Sequence, residues 1–473
     1  MKFLAVIVFV ALLACGAAFA AVVTDAAADP ASAHEAQAVT PLLSVRRTPE
    51  ALLDPRRDAV VAAAVSGIPP QMPGDSCLVI VEDGREIVAH NPDLGLIPAS
   101  TQKLLVGGAL LSVMDPDETF RTTAVAAAPV ADGAIAGDLV VVGGGDPLLS
   151  TDAYIARQSD PSKPTTRFEN LADAIVAAGV TRVDGSVVGD GSRYDEVRDI
   201  PTWPQRYRDQ VQSGPLSGLG VNDGLETFTE TEVAQGAGEP AEDPPAHTAA
   251  VLTELLRERG VTVAGDPRSG VAPEGAVEIA AIDSPPVRTV VAQMLRYSDN
   301  TTAELLAKEL AVRAGVQGSS IAGLAALEAD LAAEGVPADG IDLTDGSGLD
   351  LGNRTTCRSL TQVLALEPIG DVLEEGLAVA GQSGTLEGRM VGTPAAGNLR
   401  AKTGSLRNVS ALAGEVTGPD GRTYSFAFIS NVPDGEFVPD LTVQLQSDLG
   451  VALATIPVVE VPPELLPQAA VTP

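Results

Sequence analysis

Strand-like runs stand near both ends of this chain, and helical stretches lie between them. Near the start, Cys77-Leu-Val-Ile-Val81, the turn Glu82-Asp83-Gly84 and Glu86-Ile-Val-Ala89 read as a β-hairpin. Near the end, 410–416 and 423–429 are strand-like and are separated by Gly418-Pro419-Asp420-Gly421. Helical patterns cover roughly 286–297, 301–314, 319–334 and 357–366, and Leu324, Leu327 and Leu331 have the spacing of a buried helical face. Such a chain must bring its two ends into one sheet and pack helices on it, an α+β arrangement. The hydrophobic share of 45% is enough to fill that core.

The middle reads differently. Residues 121–285 hold short β-like runs (139–142, 183–188), many Gly and Pro, and an acidic loop around 236–245. The expected organisation is therefore a main domain in two segments, 51–120 and 286–456, interrupted by a β-rich insertion at 121–285. Residues 21–50, rich in Ala, Pro, Thr and Asp, read as a linker, and 457–473 as a Pro-rich tail.

Lys2, the apolar run 3–13 and Ala18-Phe19-Ala20 have the form of an export signal over 1–20. Leu12-Leu13-Ala14-Cys15 offers a lipid-attachment site instead, and an uncleaved anchor is a third reading. All three place the body outside the cytoplasm, with a membrane contact only if the segment is lipidated or retained. In an oxidising compartment Cys77 and Cys357 could pair, or remain two buried thiols; spacing does not decide. With 63 acidic against 30 basic residues, a net charge of -33 excludes a nucleic-acid partner and adhesion to anionic lipid.

Three short motifs carry the chemistry. In Ser100-Thr-Gln-Lys103 the serine and lysine are three apart, which on a helix puts both on one face. A serine hydroxyl needs a base within hydrogen-bond reach, and lysine serves as one only when burial lowers its pKa. The apolar Leu104-Leu105-Val106 that follows suits such burial. Of five lysines, only Lys103 has a serine three positions before it. Ser298-Asp299-Asn300, the one Ser-x-Asn in the chain, interrupts two helical stretches; Ser298 could relay a proton and Asn300 could bond a substrate amide. Taken alone it could equally be a helix N-cap. Lys402-Thr403-Gly404 precedes a strand-like run; Lys402 and Thr403 could bind a carboxylate, and Gly404 could admit a substrate backbone. With three histidines in 473 residues, His-based triads and multi-His metal sites have few candidates.

In this order the three motifs resemble the signature of penicillin-binding proteins and class A β-lactamases. Ser100 and Ser298 stand 198 positions apart, and a gap of that size resembles the class C low-molecular-mass penicillin-binding proteins, the D-alanyl-D-alanine carboxypeptidase/endopeptidases of peptidase family S13. Gly144-Gly145-Asp146-Pro147, Val221-Asn222-Asp223, Asp345-Gly346-Ser347-Gly348-Leu349 and Gly384-Thr385-Leu386 with Arg389 are similar to further segments of that family. The resemblance spans about 74–432 and departs at Asp350, where the family usually has Ser.

The resemblance implies a penicillin-binding/β-lactamase-like transpeptidase domain, a sheet flanked by helices. It implies that Ser100 is acylated, Lys103 takes its proton, and Ser298 passes a proton to the leaving amine. Asn300 would hold the substrate backbone, Lys402, Thr403 and Gly404 the carboxylate end, and the N–H groups of Ser100 and Ser405 the oxyanion. Peptidoglycan stem peptides would be the substrate and β-lactams covalent inhibitors, with no metal or organic cofactor. Two alternatives have their own signatures. A β-lactamase would turn penicillin over rapidly, and a non-catalytic wall-binding module would release no D-alanine.

Overall fold

The two chain ends do share one sheet. The structure, a computed structural model, describes residues 49–158, 160–228 and 238–459. The expected export signal, nearly all of the linker and most of the Pro-rich tail lie outside the described residues. Contacts group the chain into a large unit, Asp58–Val458, and a small one formed by Met1–Arg57 with Val459–Pro473. What is described of the small unit is chiefly the start of a helix, Pro49–Val65.

In the large unit the strands β1 (Asp75–Glu82), β2 (Arg85–His90), β3 (Ala378–Val379), β4 (Leu399–Leu406), β5 (Val409–Thr417) and β6 (Thr423–Asn431) form one antiparallel sheet in the order β3-β4-β5-β6-β1-β2. The first and last long strands pair in its centre, with Cys77 opposite Ile429. Side chains alternate between two cores, as the two-residue period of a strand requires. Cys77, Val79, Ala411, Ala413, Ala427 and Ile429 face one core, and Leu78, Ile80, Leu412, Phe426 and Phe428 the other.

The first core is filled by helices α1 (Lys103–Val113), α2 (Val287–Tyr297), α3 (Asn300–Arg313), α4 (Ser320–Ala333) and α5 (Cys357–Leu364). The second is covered by α6 (Asp440–Ala454). Leu324, Leu327 and Leu331 are all buried, as their spacing predicts. A disulfide joins Cys77 on β1 to Cys357 at the start of α5, with Cα atoms 6.0 Å apart. Among the described residues no helix is long and apolar enough to cross a membrane.

Between α1 and α2 the chain builds a second sheet of five strands, in the order Arg268–Ser269, Val187–Asp190, Leu139–Val142, Arg121–Ala126, Val277–Asp283. Helices Glu169–Ala177 and Pro244–Glu258 pack on it around Phe168, Leu171, Leu252 and Leu256, so the segment is less purely β than its Gly- and Pro-rich sequence suggests. It is locked to α3 by buried charge. Glu309 accepts from Arg193 (2.6 and 2.9 Å) and from Tyr194 Oη (3.1 Å), and Lys308 pairs with Asp195. Contacts do not separate this segment from the rest of Asp58–Val458.

Candidate active site

Ser100 does not sit on the α-helix itself. Pro98 precedes a 3₁₀ turn, Ala99–Gln102, and Ala99 takes φ 47°, a left-handed value that a side chain disfavours. α1 begins only at Lys103. Two glycines pack against this turn. A Cβ on Gly348 would lie 2.0 Å from Ala99 O, and one on Gly404 would lie 2.6 Å from Pro98 O. Gly404 thus brings β4 against the nucleophile's turn, a different use from the expected contact with a substrate backbone.

Ser298 closes α2 in the left-handed conformation (φ 60°), and Asp299 caps α3 by accepting from Thr302 N at 3.0 Å. The N-cap reading of Ser-Asp-Asn and the functional one are therefore both satisfied, by different members of the motif. Asn300, the first residue of α3, reaches Lys103.

Lys103 is fully buried, and its Nζ donates to Ser100 Oγ (3.0 Å), Asn300 Oδ1 (2.8 Å) and Ser347 O (2.6 Å). Burial pulls its pKa down to about 8, against the charges of Asp345, Glu304 and Asp299, which raise it. Two of these carboxylates, Glu304 and Asp345, belong to a buried scaffold outside the three motifs. Glu304 of α3 accepts from the N–H groups of Gly346 (3.1 Å) and Ser347 (2.7 Å). Burial, then the neighbouring Asp345, raises its pKa to about 7. Asp345 accepts from Trp203 Nε1 (2.7 Å), Asn353 Nδ2 (2.9 Å), Gly348 N (2.7 Å) and Asp350 N (2.7 Å). Asp350, where the chain departs from the family pattern, accepts from Thr202 Oγ1 at 2.5 Å.

Lys402 on β4 is also fully buried, and its Nζ donates to Ser298 Oγ (2.9 Å) and Thr403 O (2.8 Å). Burial, then the nearby charge of Lys103, pushes its pKa well below the ordinary lysine value. Ser298 is thus bonded to Lys402, and Ser100 to Lys103. Thr403 Oγ1 donates to Thr385 Oγ1 at 2.9 Å.

Ser100, Ser298, Asn300, Thr403 and Ser405 line one cleft of about 610 Å³, and the two lysines lie beneath its surface. The middle segment supplies part of the wall. Gln212 O accepts from Asn300 Nδ2 (2.7 Å), and Tyr154 Oη donates to Asp223 (2.6 Å). Lys163 Nζ stands 3.6 Å from Asp299. Despite its burial, the charge of Lys163 and bonds from Thr302 and Gln293 hold Asp299 below the ordinary carboxyl value. Sequence reasoning assigned no role to Lys163, Tyr154, Glu304, Thr385 or Arg389, all of which line or support the cleft.

A serine faced by a buried lysine, beside a second Ser–Lys pair and under an antiparallel sheet with helices on both faces, defines a serine hydrolase of the penicillin-binding class. Residues 61–247 and 241–447 match the model of the D-Ala-D-Ala carboxypeptidase 3 (S13) family, and the chain belongs to that family. It is a D-Ala-D-Ala carboxypeptidase of the serine type.

The chain is 29% identical over 469 residues to a D-alanyl-D-alanine carboxypeptidase of Actinomadura sp. (strain R39), covering 83% of this chain and 82% of the relative. It is 33% identical over 370 residues to a carboxypeptidase of Mycolicibacterium smegmatis, covering 74% of each. The crystal structure of penicillin binding protein 4 from Haemophilus influenzae superposes with a TM-score of 0.68 at 20% identity, covering 83% of this chain and 99% of that one. This last likeness carries the fold.

Proposed function

We propose that this protein removes the terminal D-alanine from peptidoglycan stem peptides through an acyl-enzyme on Ser100, and that β-lactams acylate the same oxygen. The observation that carries this is the 3.0 Å contact between Ser100 Oγ and a fully buried lysine whose pKa is held near 8. A lysine titrating there has an appreciable neutral fraction at working pH and can accept the serine proton.

Ser100 Oγ attacks the carbonyl of the penultimate D-alanine, and its proton passes to Lys103. The N–H groups of Ser100 and Ser405 receive the oxyanion. The C–N bond breaks as Ser298 gives a proton to the departing amine, with Lys103 as the proton's source and Lys402 behind the hydroxyl. Water then hydrolyses the ester, freeing Ser100 and a peptide one residue shorter. Asn300 orients the peptide: its Oδ1 is held by Lys103, one Nδ2 hydrogen by Gln212 O, and the second hydrogen is available to substrate. Thr403, with Lys402 behind it, meets the carboxylate end, and Gly404 keeps that strand against the nucleophile turn.

Cleavage of cross-linked stems by the same steps is part of this reading, because the attacked carbonyl is the same. So is action outside the cytoplasm, supported by the form of residues 1–20 and by the Cys77–Cys357 disulfide. The segment 121–285 is read as an insertion that completes the cleft, and 51–120 with 286–456 as the peptidase domain.

Purified protein should release D-alanine from a pentapeptide stem and take a covalent fluorescent penicillin label, and Ser100→Ala should lose both. Label retained by Ser100→Ala would sink the nucleophile assignment. Rapid penicillin turnover would favour a β-lactamase instead.

A further inference from the structure

Two cationic side chains line the cleft among the described residues, Lys163 and Arg389. They differ in what balances them. Lys163 has Asp299 at 3.6 Å, the charge of Asp223 nearby, and the Tyr297 ring 5.7 Å away. Arg389 has no carboxylate partner among the described residues. Its Nη2 donates to two neutral acceptors, Val443 O (3.3 Å) and Gln446 Oε1 (3.1 Å) on α6, and its Nε is buried without a bond. Burial alone lowers its pKa, with no acid to offset it. In a chain with 63 acidic and 30 basic residues, a half-buried guanidinium that faces a cleft without an acid is out of keeping with its surroundings.

Its place in the wall is equally informative. Arg389 follows Thr385 by four residues, and Thr385 is bonded to Thr403 on β4. Lys402, next to Thr403 on β4, has its amine turned to Ser298 Oγ and Thr403 O below the surface. A guanidinium, unlike that amine, stays charged at any working pH, and with Nη2 bonded to α6 and Nε buried, Nη1 is the nitrogen left to meet a carboxylate.

We infer that Arg389 binds the free α-carboxylate of the residue that leaves, with the Thr385–Thr403 hydroxyl pair beside it. This rests on the carboxypeptidase reading above. It adds a substrate-binding residue to that reading: one that holds the unblocked carboxylate of the departing amino acid, whatever its side chain. The bonds to Val443 O and Gln446 orient the guanidinium and leave its charge and Nη1 for the ligand.

The test compares a stem peptide ending in D-Ala-D-Ala acid with the same peptide ending in the amide, using the full chain. Wild type should prefer the acid. Arg389→Ala should lose about tenfold to a hundredfold in kcat/KM on the acid, mostly through KM, with little change on the amide. Arg389→Gln, which can keep the bonds to α6 while losing the charge, should behave the same way, and Arg389→Lys should recover part of the preference. An equal loss on acid and amide, or an undiminished preference in Arg389→Gln, would show that Arg389 only fastens α6 and would overturn the inference alone. A wild type that releases nothing from either peptide would overturn the carboxypeptidase reading, and this inference with it.

Discussion

Two walls of the cleft each bury a lysine against a serine, and they treat it in opposite ways. On the helix wall, Lys103 stands before Asp345, Glu304 and Asp299, whose charges hold its pKa near 8 against the cost of burial. On the strand wall, Lys402 has no such support, and the charge of Lys103 adds to burial in lowering its pKa well below the ordinary lysine value. The same residue type, equally buried, is therefore backed by carboxylates on one side and faced by a second lysine on the other. What separates them is the placement of carboxylates one layer deeper, since burial alone lowers any lysine.

That contrast can be broken most directly by removing each amine. Lys103→Met should cost on the order of 10³-fold or more in the penicillin acylation rate, because the base itself is lost. Lys402→Met should cost less, on the order of 10²-fold; equal losses, measured by stopped-flow with a fluorescent penicillin, would erase the distinction between the walls. The rate should also rise with pH through a limb centred near 8, because the neutral form of Lys103 is the acceptor.

Glu304→Gln sharpens the same point. The Glu304 charge raises the Lys103 pKa, so removing it should move the limb to lower pH, by up to about one pH unit. A limb that stays in place would show that Glu304 does not set the proton affinity. Trp203→Phe removes the 2.7 Å donor to buried Asp345 and should cost about 1–3 kcal/mol of stability in denaturant unfolding, leaving the identity of the nucleophile unchanged. The smallest effect belongs to the strand wall. Thr385→Val removes one hydroxyl partner of Thr403 and should lower kcat/KM for D-Ala-D-Ala release by a few-fold.

Part of this was legible in the residues. The terminal strands were readable because their pattern is local, whereas the register that sets Cys77 opposite Ile429 came only with the structure. Ser100, Lys103, Ser298, Asn300 and Lys402 were readable because short motifs with fixed spacing carry them, and the fold brings them into contact. The layer behind them was not. Glu304 and Asp345 act through backbone N–H groups and a tryptophan far away in the chain, and no periodicity marks such partners. The 3₁₀ turn at Ser100 was also hidden, because Ala99 at φ 47° is a residue that sequence rules place in a helix. Lys163 and Tyr154 were unreadable for a related reason: their partners, Asp299 and Asp223, come from other segments.

The disulfide has a consequence for the chain as a thread. Cys77 precedes the middle segment and Cys357 follows it, 280 positions apart. A protease that cuts once anywhere in 121–283 would therefore release nothing. Ser100 would stay on one fragment and Ser298 and Lys402 on the other, tied through β1 and α5. A nicked molecule labelled with penicillin should run as one band until a reductant parts it, the label then travelling with the N-terminal piece that carries Ser100.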